Sequence, residues 1–135
     1  MKKGLILILG VILIISFSCT KMKLNKLHGT WNNISLEDND STSITWTFNE
    51  DETLVITTTY LDSSAFSNKA GYYSFKKQGS DYFIDVLDMD EALDLGGDDI
   101  EGQYLVRELS KSTLRLLQQR TGNGTEAYIA REFVK

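Results

Sequence analysis

Few residues in this chain are equipped for chemistry. Cys19 is the sole cysteine and His28 the sole histidine, so a Ser-His-Asp or Cys-His nucleophilic arrangement is poorly supplied. His28, beside Gly29, reads as a surface or edge residue. A carboxylate pair for acid–base work is conceivable from Asp85 and Glu108, but nothing fixes their separation, and Asp85 is expected to face solvent. The stretch from Asp88 to Glu101 holds seven acids. Among them Asp88, Asp90, Asp94, Asp98 and Asp99 offer the hard oxygen ligands that suit Ca²⁺. An EF-hand register fails, because Leu93 stands where its glycine belongs and Ala92 where a ligand belongs. A solvated acidic loop is therefore expected, with no metal and no cofactor. The aromatics Trp46, Phe48, Tyr60, Tyr73, Phe75 and Tyr82 either fill a core or line a cavity for a small apolar ligand. No glycine-rich phosphate loop, cysteine metal cluster or basic–aromatic stripe is present. An enzyme is not expected.

What precedes the fold is an address. Lys2 and Lys3 lead an apolar run from Leu5 to Ile15, and small residues Ser16 and Ser18 lead to Cys19. A basic start, a short apolar core and a small-residue exit make an export signal over 1–18. The run is about a dozen residues, short of the roughly 20 that span a bilayer as a helix; a retained anchor helix is the alternative. An exported protein with one cysteine leaves that thiol without an internal partner.

Ile15-Ser16-Phe17-Ser18-Cys19 resembles a bacterial lipobox, with Ser18 as the small residue before the cysteine and Ser16 in place of the usual leucine. The resemblance implies that Cys19 takes a diacylglyceryl group, becomes the first residue after cleavage and is acylated, as with palmitate, on its new amine. An unlipidated thiol is the alternative. Two or more acyl chains make attachment stable. Residues 19–26, with Lys21, Lys23 and Lys26, read as a lipidated, solvated tether. Thr20 stands where an inner-membrane retention signal would have Asp, which implies the outer membrane of a Gram-negative envelope.

Removing Lys2 and Lys3 from the 14 basic residues leaves 12 against 19 acids, a net of about −7. Outside the seven-acid stretch the two signs balance. One loop carries the excess, and a surface without a basic face argues against nucleic acid.

From residue 27 to 135 the hydrophobic period is two. Strands are expected from Gly29 to about Leu36, over Thr42–Phe48, Thr53–Tyr60, Ala70–Lys77, Asp81–Asp88, Gln103–Leu109, Thr113–Arg120 and Thr125–Val134. Ile44, Trp46 and Phe48 alternate with Ser43, Thr45 and Thr47. Leu61–Lys69 has no period and reads as a loop, and Met89–Leu95 as a helical turn or two at most. Gly122-Asn123-Gly124 makes a tight turn, since Gly and Asn accept positive φ cheaply. The chain has no proline to interrupt a ladder. Eight short antiparallel strands remove their exposed edges by closing into an up-and-down barrel; a sandwich is the alternative.

The start Leu27-His28-Gly29-Thr30-Trp31 resembles the Gly-X-Trp start of lipocalin-like barrels. Trp46-Thr47-Phe48-Asn49, Ala70-Gly71-Tyr72-Tyr73, Leu114-Arg115-Leu116 and Glu132-Phe133-Val134-Lys135 are similar to segments of small lipocalin-like lipoproteins. Glu52 stands where a turn glycine is usual. The resemblance implies the fold, with Gly29 and Trp31 as structural markers and a late-strand arginine, Arg131 or else Arg120, lying across Trp31. It implies no activity. Two readings follow. One is a membrane-anchored lipoprotein whose barrel binds a small apolar molecule or has kept the fold without one. The other is an interaction module that meets an envelope protein through its loops.

Overall fold

The structure, a computed structural model, describes residues 19–34, 42–63, 65–90 and 100–135. The expected export signal over 1–18 therefore lies outside the described residues, as do the end of the first expected strand and most of Met89–Leu95.

A helix, α1 (residues 19–27), leads into eight strands. They are β1 (Gly29–Asn33), β2 (Thr42–Phe48), β3 (Thr53–Tyr60), β4 (Phe66–Gln78), β5 (Asp81–Leu87), β6 (Gly102–Leu109), β7 (Thr113–Thr121) and β8 (Glu126–Val134). Each pairs antiparallel with the next, and β8 returns to β1, so the sheet is a closed up-and-down barrel and not a sandwich. The closing seam is short, with Asn32 opposite Val134 and Asn33 opposite Phe133. It is extended by Ile34 N–H donating to the Glu132 carbonyl at 2.7 Å.

The period-two pattern is what the barrel reads. Trp46 and Phe48 of β2, Leu54 and Ile56 of β3, Ile84 and Val86 of β5, and Leu114 and Leu116 of β7 all point inward and are buried. Their alternates face out, as at the row Glu108, Arg115 and Glu132, where Arg115 bridges both acids at 3.0 and 2.9 Å. Glu52, in place of the usual turn glycine, adopts φ +66°. The turn is held by Asp51, whose carboxylate accepts from Thr53 N–H and Oγ1–H at 3.2 and 2.6 Å. Those bonds hold the Asp51 carboxyl below the usual carboxylate range.

Two expectations fail instructively. The loop assigned to Leu61–Lys69 is strand over its last four residues: β4 begins at Phe66, and Phe66–Ala70 ladder against Val55–Thr59. Backbone bonds make this ladder, and its side chains carry no apolar alternation to reveal it. The tether is likewise not a solvated chain. Residues 19–27 are helical, with Leu27 buried and Leu24 packed on the core. Thr20, Lys23, Leu24 and Leu27 fall at helical spacing on the face toward the barrel.

The helix covers one barrel end, called here the helix end, where the β2–β3, β4–β5 and β6–β7 turns also lie. It stops at His28, whose N–H donates to the Leu24 carbonyl at 3.2 Å. Gly29 then turns the chain into β1 at φ +114°. Trp31 plugs this end fully buried, its Nε1–H donating to the Leu27 carbonyl at 2.7 Å. Lys135 Nζ caps the helix by donating to the Lys26 and His28 carbonyls at 3.2 and 2.7 Å. A cation is favoured there by the helix dipole.

Candidate functional site

The six candidate aromatics do not converge on one cavity. Trp46, Phe48 and Tyr73 are 1–2% exposed. Trp46 meets the rings of Phe48, Tyr104 and Phe133 at centroid distances of 6.1, 5.7 and 5.1 Å, and Phe48 meets Tyr73 edge-on at 5.1 Å. These are the edge and tilted geometries that rings adopt when they fill a core. Tyr73 Oη–H donates to the Asn49 carbonyl at 2.8 Å. Burial, with Glu52, Asp51 and Glu50 nearby, pushes its phenol up to about 12. Phe75 and Tyr82 form a separate stack at 5.4 Å under the helix. Tyr60 stands at the opposite rim, 41% exposed.

Arg131 does not lie across Trp31. Its guanidinium sits 5.9 Å from the Trp46 ring centroid, and Lys135 Nζ takes the place over Trp31 at 4.5 Å. The seam register explains the exchange. With Asn33 opposite Phe133, position 135 falls across from Trp31, and Arg131 lies two inward positions further along the wall. Such a desolvated pair contributes about 2 kcal/mol, and the Lys135 contact less. Arg131 shares the inner wall with two other buried polar residues, Asn33 and Gln118. Gln118 Nε2–H donates to the Glu101 carbonyl at 3.1 Å, and Tyr104 Oη–H to the Ile100 carbonyl at 2.5 Å. These bonds moor the far side of the acidic stretch to the barrel interior.

On the near side, Asp90 N–H donates to the Ala70 carbonyl at 2.8 Å and its carboxylate accepts from Ala70 N–H at 3.3 Å. Met89 N–H donates to the Glu101 carboxylate at 2.8 Å. Asp90 and Glu101 thus tie down backbone. Among the described residues no group of three metal-ligating side chains gathers, while Asp94, Asp98 and Asp99 lie outside them. Asp85 pairs with Lys76 and accepts from Gln103 Nε2–H at 3.1 Å. Glu108 belongs to the Arg115 row. The two carboxylates head separate ion pairs on the outer wall.

Cys19 is exposed at the start of the helix, its Sγ 3.5 Å from Tyr82 Oη. This thiol stands in for the thioether sulfur that an acylated cysteine would carry. The bond with Cys19, then burial, raises the Tyr82 phenol above its ordinary range. Lys23 Nζ and Lys77 Nζ each lie 5.9 Å from the Tyr82 ring centroid. At the other barrel end, Tyr60, Leu61 and Phe66 stand exposed on the β3–β4 hairpin, with Ile34 exposed at the end of β1.

Sequence reasoning missed Lys135, Gln118 and Asn33, for which only the barrel closure supplies a signal. A scan against family models finds no match to the chain, and searches of curated proteins and of solved structures find none either.

Proposed function

We propose that this chain is a lipid-anchored lipoprotein of a bacterial cell envelope, lipocalin-like in build. Its barrel is a non-enzymatic scaffold that presents the far rim to a protein partner. The observation that carries this reading is the buried ring cluster of Trp46, Phe48, Tyr73, Tyr104 and Phe133, which fills the barrel interior behind Trp31. A barrel filled at that level leaves recognition to its rim. There the exposed Tyr60, Leu61 and Phe66 supply the apolar and aromatic surface that interfaces favour. A photo-crosslinking residue at Leu61, in cells of the native host, is expected to give one discrete protein adduct that is lost in Tyr60→Ser/Phe66→Ser. Diffuse or absent adducts would refute it.

A second reading, a small apolar ligand, is favoured by Tyr60 alone, which stands at the rim on the strand face that carries Leu54 and Ile56 inward. Such a ligand would occupy the mouth above Trp46. Native mass spectrometry of the purified chain decides between them, since a retained small molecule supports the ligand and its absence the scaffold.

A further inference from the structure

The helix end gathers lysines around Cys19. The outward face of α1 carries exposed Cys19, Lys21 and Met22, with Met22 62% exposed. Lys23 and Lys77 flank Tyr82 beside Cys19. Toward the helix C-terminus, Lys135 Nζ binds the Lys26 carbonyl, and Lys135 N–H donates to the Ser112 carbonyl at 3.1 Å, which brings the Lys111 turn alongside. Asp81 and the Glu50–Glu52 turn share this end, so the basic character follows the helix and its two neighbouring turns. The strands' other ends are joined by connections whose sequences, including 88–101 with its seven acids, hold no Lys or Arg. The barrel is thus polar end to end. The lysines sit where the lipid would be.

We infer that the helix end is itself a membrane-docking surface: Lys21, Lys23, Lys26, Lys77 and Lys111 bear on phosphate-bearing lipid headgroups, and Met22 enters the interface. The inference rests on the reading of Cys19 as lipidated and adds an orientation to it. A free tether would let the barrel tumble at the membrane. A cysteine at the first position of a helix packed on the barrel, 3.5 Å from Tyr82 Oη, leaves no slack. Acyl chains leaving Cys19 hold the helix end within reach of the bilayer, and on an anionic leaflet the lysines seat it there, so that the acid-bearing end points into the aqueous space, away from anionic lipid. Each lysine near an anionic leaflet favours the seated state about fivefold, and salt weakens the effect.

The test uses the full lipidated protein in vesicles of phosphatidylethanolamine with phosphatidylglycerol, compared with vesicles of phosphatidylcholine, read by amide hydrogen exchange. Helix 19–27 and the turns at 79–80 and 110–112 are expected to be protected in the anionic vesicles only, and the turn at 122–125 in neither. Lys21→Gln/Lys77→Gln/Lys111→Gln is expected to shift the seated population by roughly a hundredfold and abolish that protection. Equal protection in the two vesicles, protection at 122–125, or a variant that behaves as wild type would overturn the inference. Intact mass separates the two claims. A protein without the diacylglyceryl increment overturns the anchor and the orientation with it, whereas a lipidated protein with unprotected turns overturns the orientation alone.

Discussion

Replacing Trp31 by alanine perturbs the one side chain that joins α1, the barrel floor and the last residue of the chain. The indole is fully buried, bonds the Leu27 carbonyl at 2.7 Å and carries Lys135 Nζ at 4.5 Å above its ring. Truncating a buried tryptophan costs about 3–5 kcal/mol in lost transfer energy and cavity. An orphaned Leu27 carbonyl adds about 1–3 kcal/mol, less whatever water recovers. A loss of about 5 kcal/mol is expected. At roughly 2.1 cal/mol/K per residue over the 117 residues from Cys19, that lowers the melting temperature by about 20 °C. Urea unfolding followed by far-ultraviolet circular dichroism measures it. Trp31→Phe separates the two contributions, because it keeps most of the plug and removes only the N–H. It should cost about 1–2 kcal/mol. A Trp31→Ala loss under about 1 kcal/mol, the scale of an ordinary surface change, would refute Trp31 as the plug.

Three further outcomes follow from other parts of the barrel. Gly102→Ala should cost about 3 kcal/mol or more in the same unfolding assay, since Gly102 sits at φ +134° and an added Cβ would fall 1.9 Å from the Arg120 carbonyl oxygen; a neutral result would contradict the β6–β7 register. Tyr73, neutral in the fold up to about 12 against an ordinary 10, contributes stability that is whole below pH 10 and lost as pH climbs to 12. Because the hydroxyl is only part-buried and partly screened by solvent, that loss is about 1–2 kcal/mol, and Tyr73→Phe should remove this part of the alkaline transition while costing about 1 kcal/mol at pH 7. Millimolar Ca²⁺ should leave the melting temperature unchanged, and a rise of several degrees would reveal a site in the acidic stretch.

Much of the barrel is legible in the sequence because inward side chains are mostly apolar and their neighbours mostly polar, as in Ile44–Phe48. The pattern fails where packing does not select the residue. Phe66–Lys69 are strand by backbone pairing alone, with a surface too polar and exposed to show a period. Helix 19–27 escapes because nine residues with lysines on both faces resemble a solvated linker; only Leu24 and Leu27 betray it. Closure is the other blind spot. Which cation covers Trp31 depends on how β8 meets β1, a contact between the two ends of the barrel's chain, and a difference of two inward positions in that register separates Arg131 from Lys135. Asn33 and Gln118 are buried for the same non-local reason. At the candidate site, the aromatics were legible as inward residues, but their division into a core cluster, a stack under the helix and a rim tyrosine required the closed barrel.

Metabolic labelling with radioactive palmitate reads out the proposed tie between Cys19 and a membrane. Wild-type protein should take up label and fractionate with membranes. Cys19→Ala should take up none and appear in the soluble fraction. Labelling that persists in Cys19→Ala, or a wild-type protein that is unlabelled and soluble, would contradict the account.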